Sequence, residues 1–234
     1  MIFITGDIHG EHDLKKFGKQ EFPIQSELTR NDYMIICGDF GLIWDDSKTE
    51  KYWMQWLDSK PWTTLWIDGN HENYNLLKNY PFEEWNGGTI QKITPNIFHL
   101  CRGNMFELDD KKVFAFGGAE SHDKQFRIPG KTIWEEEMPS EDEMQYGLDT
   151  LNRHGWKADI VITHSLPSYI LHNLNIAGLY TPNVLTDYFE RIDEKLRFDM
   201  WFSGHYHMYR QCTSKHYMIF DNIAVIKDRS FELV

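Results

Sequence analysis

The apolar residues of this chain fall into short continuous runs separated by stretches with helical spacing. Ile2-Phe3-Ile4, Met34-Ile35-Ile36-Cys37, Leu65-Trp66-Ile67, Ile160-Val161-Ile162 and Met200-Trp201-Phe202 each read as a strand. Between them, Ser47 and Glu50 form an S-x-x-E helix start, followed by Tyr52, Trp53, Trp56 and Leu57 before Pro61. Ser140 and Glu143 repeat the device, and that helix is expected to run through Met144, Leu148 and Leu151 to a stop near Gly155. A third helix is expected from near Pro182, with Leu185, Tyr188, Phe189, Ile192 and Leu196 on one face.

Residues 98–100, 105–108 and 113–116 read as further strands, with the polar turn 109–112 joining the last two into a hairpin. Residues 217–220 and 223–226 read as a second hairpin. The segment 117–138 lacks periodicity, and loops of that length in compact domains are usually functional or mobile. Strands alternating with helices predict a layered α/β fold. With no repeat, low-complexity tract or flexible linker, one domain over residues 1–234 is expected.

Composition narrows the function classes. Hydrophobic residues at 41% and aromatics at 15% suffice for a substantial core, which argues against global disorder. The formal net charge of −12 opposes binding along an extended nucleic acid, which needs lysine and arginine against the phosphates. It leaves room for a small phosphorylated ligand, because bound cations invert the local field. Three cysteines, Cys37, Cys101 and Cys212, make no disulfide framework and suit a reducing compartment. No apolar run approaches the roughly 18 residues of a membrane span. The first strand begins at Ile2 and delivers Asp7, so no cleaved leader is expected. These readings predict a soluble cytoplasmic protein and leave the oligomeric state open.

Each of the five apolar runs breaks into residues that bind metals. Asp7 and His9 follow the first, Asp39 the second, Asn70 and His71 the third, His164 the fourth, His205 and His207 the fifth. In open α/β sheets, ligands bind beyond the carboxyl ends of the strands. Aspartate with histidine suits Mn²⁺, Zn²⁺ or Fe²⁺, whereas a calcium or magnesium site would lean on oxygen alone. The Asp39 carboxylate can give one oxygen to each of two ions, and the Asn70 amide oxygen adds a neutral ligand. Two such ions about 3.5–4 Å apart clamp an anionic centre and acidify water. Gly6, Gly38, Gly69 and Gly204 each precede a proposed ligand, where the chain must turn sharply or approach a bound group. Taken singly, His164 has a plain alternative as a buried structural histidine, and Asp39 as a turn residue. Five sets in order at five strand ends argue against that alternative.

Gly6-Asp7-Ile8-His9-Gly10, Gly38-Asp39, Gly69-Asn70-His71-Glu72, Thr163-His164 and Gly204-His205-Tyr206-His207 resemble, in order, the motif blocks of the calcineurin-like metallophosphoesterase superfamily. The resemblance extends over residues 7 to 207. It implies a four-layer αββα β-sandwich flanked by helices, with a two-metal centre at the sheet edge. It assigns Asp7, His9, Asp39 and His207 to one ion, and Asp39, Asn70, His164 and His205 to the other. His71 would serve the leaving-group oxygen as general acid or hydrogen-bond donor. The implied cofactors are two divalent ions, manganese first, with iron, zinc or nickel as alternatives. The implied activity is hydrolysis of a small or exposed phosphate ester by metal-activated hydroxide. The substrate would be a small-molecule or nucleotide ester, with phosphodiesters ahead of monoesters. The alternatives are a protein or nucleotide phosphatase, a nuclease-like member, and a non-catalytic metal-binding scaffold.

Two departures from the family pattern bear on substrate. Many members keep a second aspartate that orients the histidine equivalent to His71, and here that position is Leu42. Glu72, Asp45 and Asp46 are the candidates to replace it. Members acting on phosphoproteins carry arginines where this chain has Asp68 and Ile43-Trp44, which argues against a protein phosphatase. Arg127, in the long loop, is the preferred substitute clamp and Arg102 the other. Glu72 and Arg127 are thus candidates for substrate contact or support. Trp44 and Trp134 offer either core packing or a surface for a nucleobase.

Overall fold

In the computed structural model, which describes residues 1–174 and 180–234, the apolar runs build two sheets packed face to face. The chain first lays down β1 (Ile2–Thr5), β2 (Tyr33–Ile36), β3 (Thr63–Trp66), β4 (Phe82–Trp85), β5 (Gly88–Thr94) and β6 (Ile97–Leu100). It then crosses to a second sheet with β7 (Asn104–Leu108), β8 (Lys111–Phe116), β9 (Ile160–Thr163), β10 (Met200–Ser203), β11 (Arg210–Gln211) and β12 (His216–Met218). It returns to the first sheet with β13 (Ile223–Ile226) and β14 (Phe231–Leu233). The strand orders are β14-β13-β1-β2-β3-β6-β5-β4 and β11-β12-β10-β9-β8-β7.

The two-residue period of a strand divides each run between two cores. Ile2, Ile4, Ile35, Cys37 and Leu65 face Val113, Ile160, Ile162, Met200 and Phe202 of the other sheet. Phe3, Met34, Ile36 and Trp66 turn outward to pack under Leu57, Trp62 and Leu77. On the opposite outer face, Phe114, Val161 and Trp201 pack under Leu151, Leu185, Tyr188 and Phe189. The layers are therefore helix, sheet, sheet, helix, as the motif resemblance implies.

The helices are α1 (Lys48–Asp58), α2 (Tyr74–Leu77), α3 (Glu141–Arg153), α4 (Ser168–Leu174) and α5 (Val184–Asp193). Ser47 caps α1 by accepting from the Glu50 N–H at 3.1 Å, but the Glu50 carboxylate turns instead to the N–H groups of Trp44 and Asp45. At α3 both halves of the box form, Glu143 N–H to Ser140 Oγ and Ser140 N–H to Glu143 Oε2. Asn183 caps α5, whose buried face is Leu185, Tyr188, Phe189 and Ile192. The sequence pattern did not predict α2 and α4, because four and seven residues are too short to show a helical period.

The expected turn between β7 and β8 is shorter than the sequence suggests. Only Asp109 and Asp110 form it, with φ of 47° and 61°, the left-handed pair that matches strand twist. The expected hairpin of 217–220 with 223–226 does not form. β12 pairs parallel with β10 in one sheet, and β13 pairs antiparallel with β1 in the other. The link between them spans the seam, where Phe220 accepts from the Gly6 N–H and the Thr5 hydroxyl. Local sequence suggested a turn, but each segment satisfies its backbone on a strand distant in sequence. No helix among the described residues is long and apolar enough to cross a membrane.

Candidate metal centre

Parallel pairing brings the strand ends level: Thr5 opposite Ile36, Ile36 opposite Trp66, and Thr163 opposite Ser203. The loops leaving β1, β2 and β3 therefore meet those leaving β9 and β10 over the seam between the sheets. Asp7, His9, Asp39 and His207 present ligand atoms within 4.8 Å of one another, and so do Asp39, His164 and His205. Asp39 belongs to both groups. Its two oxygens diverge: Oδ2 lies 3.4 Å from His9 Nε2, and Oδ1 lies 3.3 Å from His164 Nε2. Asp7 Oδ2 lies 3.1 Å from His207 Nε2. Asp7, Asp39 and His164 are buried, while the His207 side chain is half exposed at the rim.

Hydrogen bonds fix which imidazole nitrogen faces the cluster. The Cys37 carbonyl can only accept, so at 2.6 Å it takes the proton of His164 Nδ1 and leaves Nε2 toward Asp39. Asp13 Oδ2 does the same for His9, 2.8 Å from Nδ1. The backbone also serves the site. The N–H of His205 donates to both Asp7 oxygens, and that of His71 donates to Asp39 Oδ1 at 2.8 Å. The Asp39 carbonyl accepts from Ile8 and His9, which ties the first loop to the second. Lys16 is buried behind Asp7, donating to the carbonyls of Asp7 and Phe220, and burial pushes it down to about 8.

Four of the seven proposed ligands sit in the left-handed region: His9 (φ 43°), Asp39 (46°), His205 (69°) and His207 (49°). Non-glycine residues rarely adopt it, and such strain gathers at functional sites where surrounding contacts enforce it. Two glycines make room. Gly38, at φ 100°, lies against the His164 ring, and a Cβ on Gly204 would meet the Asp7 carboxylate.

Two features of this donor set call for cations. Asn70 Oδ1 and His164 Nε2 are buried with no hydrogen-bond partner, a costly arrangement unless another group binds them. The electrostatics agree. Burial alone would lower His164 and His9, but the Asp39 and Asp7 carboxylates override it and push them up to about 10 and about 9. Asp39 is held well below the carboxylate range despite burial, by His164 and His9. Burial and the neighbouring His164 drive His205 down to about 3. The cluster thus seeks positive charge, and its mixed oxygen and nitrogen donors fit borderline divalent metals.

Asn70 is oriented by a chain that the sequence did not predict: its Nδ2 donates to Ser121 Oγ at 3.1 Å, and Ser121 donates to Glu137 at 2.7 Å. Both partners come from the segment 117–138, which reaches the site instead of lying on a distant surface. The same segment supplies Arg127. Its Nη2 lies 2.9 Å from His71 Nε2, while Nε binds Asp123 and Nη1 the Thr132 carbonyl. Arginine only donates, so His71 Nε2 accepts and the ring is neutral here. Burial and Arg127 both hold His71 below the ordinary imidazole value, against Asp39.

None of the three carboxylates expected to replace the position of Leu42 touches the His71 side chain. Glu72 is buried and accepts from the N–H groups of Phe40 and Gly41, so it supports the Asp39 loop. Asp45 accepts from Ser47 N–H, and Asp46 pairs with Lys51. Arg102 is likewise committed elsewhere: it is buried against Asp68 and also reaches the Glu136 carbonyl. Asp68 binds His99 and Tyr74 as well, so it anchors a buried polar network where some relatives carry an arginine. Trp134 is buried edge-on to the half-exposed Trp44.

The sequence profile of the calcineurin-like phosphoesterase family matches residues 1–209. The chain belongs to that family. It is similar to lariat debranching enzyme A of Xenopus laevis, 23% identical over 193 residues, covering 73% of this chain and 34% of that protein. The chain thus spans about a third of the length of this curated relative. A solved structure of a presumed 5'-nucleotidase from Staphylococcus aureus in complex with alpha-ketoglutarate superposes with a TM-score of 0.48 and 15% identity. It covers 100% of this chain and 52% of that one.

Proposed function

We propose that the protein is a dinuclear-metal phosphoesterase that prefers phosphodiesters to phosphomonoesters. The observation that carries this reading is the Asp39 carboxylate, shared between two groups of ligand atoms with one oxygen turned to each. In this reading Asp7, His9, Asp39 and His207 hold one ion, and Asp39, Asn70, His164 and His205 hold the other. Manganese is the first candidate metal, with iron, zinc or nickel as alternatives. When bound, two divalent ions supply Lewis-acid charge to the phosphoryl group and lower the pKa of water.

The chain's own residues do the rest. Asp13 and the Cys37 carbonyl hold His9 and His164 with Nε2 inward, and Ser121 turns the Asn70 oxygen the same way. His71 stands beside Asp39 and bears on the leaving-group oxygen, and Arg127 adds positive charge at the same point. Two arginine contacts support the diester preference. A monoester dianion is usually gripped by a bidentate guanidinium fork. Arg127 has Nε on Asp123, Nη1 on the Thr132 carbonyl and Nη2 on His71, so each nitrogen of its fork already has a partner, and Arg102 is held by Asp68.

The test is to strip the protein of metal and restore Mn²⁺, Fe²⁺, Zn²⁺ or Ni²⁺ separately. Each form is then assayed on matched aryl phosphate monoester and diester substrates. Faster turnover of the diester supports the proposal, and a much faster monoester would overturn the preference. Absence of any turnover, with partner binding retained in Asp39→Asn, would favour a non-catalytic scaffold.

A further inference from the structure

A cleft of about 570 Å³ opens directly beside His9 and His71, within the usual size of a small-molecule site. Its walls are unlike those of a phosphate-binding groove. Trp44, Trp53 and Leu42 provide the apolar surface, and Glu11, Asp45 and Glu50 provide the charge, with no lysine or arginine lining it. All three carboxylates are engaged by neutral donors. Glu11 accepts from Trp53 Nε1 at 2.7 Å, Glu50 from the N–H groups of Trp44 and Asp45, and Asp45 from Ser47 N–H. Among the described residues none of the three forms a salt bridge, so no lysine or arginine neutralises them.

We propose that this cleft receives the leaving alcohol of the phosphodiester, and that this alcohol is an uncharged planar one, a nucleoside without a further phosphate. The inference rests on the phosphoesterase reading above and adds the substrate class. The direction follows from His71: it lies in the cleft wall and bears on the leaving-group oxygen, so whatever that oxygen carries extends past it into the cleft. The aromatic walls suit a flat ring, since indoles stack on bases whatever their sequence. The carboxylates accept hydrogen bonds from ring amino groups and repel a second phosphate. An end-on nucleoside therefore fits, and a nucleic-acid chain continuing with phosphates does not.

Two measurements test it. First, the manganese-loaded protein is given a 3'-to-5' adenosine dinucleotide with hydroxyl ends, and the same compound carrying a phosphate on the leaving nucleoside, which the products identify. The hydroxyl form should show about tenfold higher kcat/KM. Glu11→Gln keeps an acceptor for Trp53 but removes one charge, and it should narrow that ratio by raising the phosphorylated arm. Second, binding of adenosine alone is followed by saturation-transfer NMR. It should be lost in Trp53→Ala and partly restored in Trp53→Phe, with melting temperatures confirming that both variants fold. Equal kcat/KM for the two dinucleotides, or adenosine binding unchanged in Trp53→Ala, overturns the proposal. Loss of all turnover with adenosine still bound through Trp53 would instead remove the phosphoesterase reading and leave the cleft as a nucleoside site.

Discussion

Arg127 Nη2 lies 2.9 Å from Nε2 of His71, although 56 residues separate the two in the chain. A guanidinium therefore stands against the ring that, in many relatives, a carboxylate orients. The exchange alters the chemistry at that point. A carboxylate favours a protonated imidazole, whereas arginine favours a neutral one and brings its own fixed charge.

Arg127→Ala is expected to lower kcat on an aryl phosphodiester by about 10²-fold, the scale seen when one transition-state donor is removed. Metal content should stay at the wild-type level by elemental analysis. Arg127→Lys should recover little, because a lysine cannot keep the fork anchored at Asp123 and Thr132. Wild-type turnover in the alanine variant would take Arg127 out of the machinery.

His71→Ala and Asp39→Asn should fail in different ways. The first keeps its metal and loses turnover by about 10²–10⁴-fold. The second loses metal and activity together, because Asp39 serves both ligand groups. Metal titration run beside single-substrate kinetics separates the two, and full activity in His71→Ala would exclude it from the mechanism.

Ser121→Ala removes the acceptor that turns the Asn70 amide and the donor to Glu137. Metal affinity should drop by roughly 10–100-fold, the usual cost of losing a group that orients a ligand. Competition with a chelator measures it. An unchanged affinity would mean that Asn70 holds its orientation without the serine.

Arg102→Met should destabilise the fold by about 3–5 kcal/mol, because it strands the buried Asp68 carboxylate without its cation. Adding Asp68→Asn should recover part of that loss. Chemical denaturation of the two variants decides the point, and the prediction is wrong if the single variant is as stable as the wild type.

Stability should also fall as pH rises from about 4.5 to 7. Burial pushes Glu137 up to about 7, although the Ser121 hydroxyl and Trp134 N–H act the other way. In that window the folded state binds the proton that the unfolded state has already lost, so raising pH favours unfolding, and the effect levels off above 7. Glu137→Gln should flatten this part of the melting-temperature profile. An identical slope in the variant would assign it to another group.

The ligands could be read because each follows an apolar run directly, and a strand end needs only local sequence to be recognised. Asp39 stands with Asp7, His9 and His207 in one group of potential ligand atoms and with His164 and His205 in another. The layers were legible too, since a two-residue period divides Phe3 from Ile2 and Ile4 whatever lies beyond them. The hairpin expected at 217–226 shows the opposite case. The sequence suggests a turn there, but β12 and β13 belong to different sheets because strands distant in sequence offer each a full ladder.

The supporting groups were hidden for a related reason. Ser121 stands 51 residues from Asn70, and nothing in either neighbourhood marks the pair. Glu72 adjoins His71 in sequence, but its side chain points to the Asp39 loop. Leu42 and Asp68 could be seen as departures from the motif pattern, but their consequences could not.

By itself the sequence determined the family and the order of metal-binding residue types at the strand ends, because these depend on residue identity and short-range spacing. Tertiary structure alone decided that Arg127 stands against His71, that Arg102 is taken by Asp68, and that an acidic aromatic cleft adjoins His71. Those facts depend on where side chains from separate loops meet, and packing of the whole fold sets those distances.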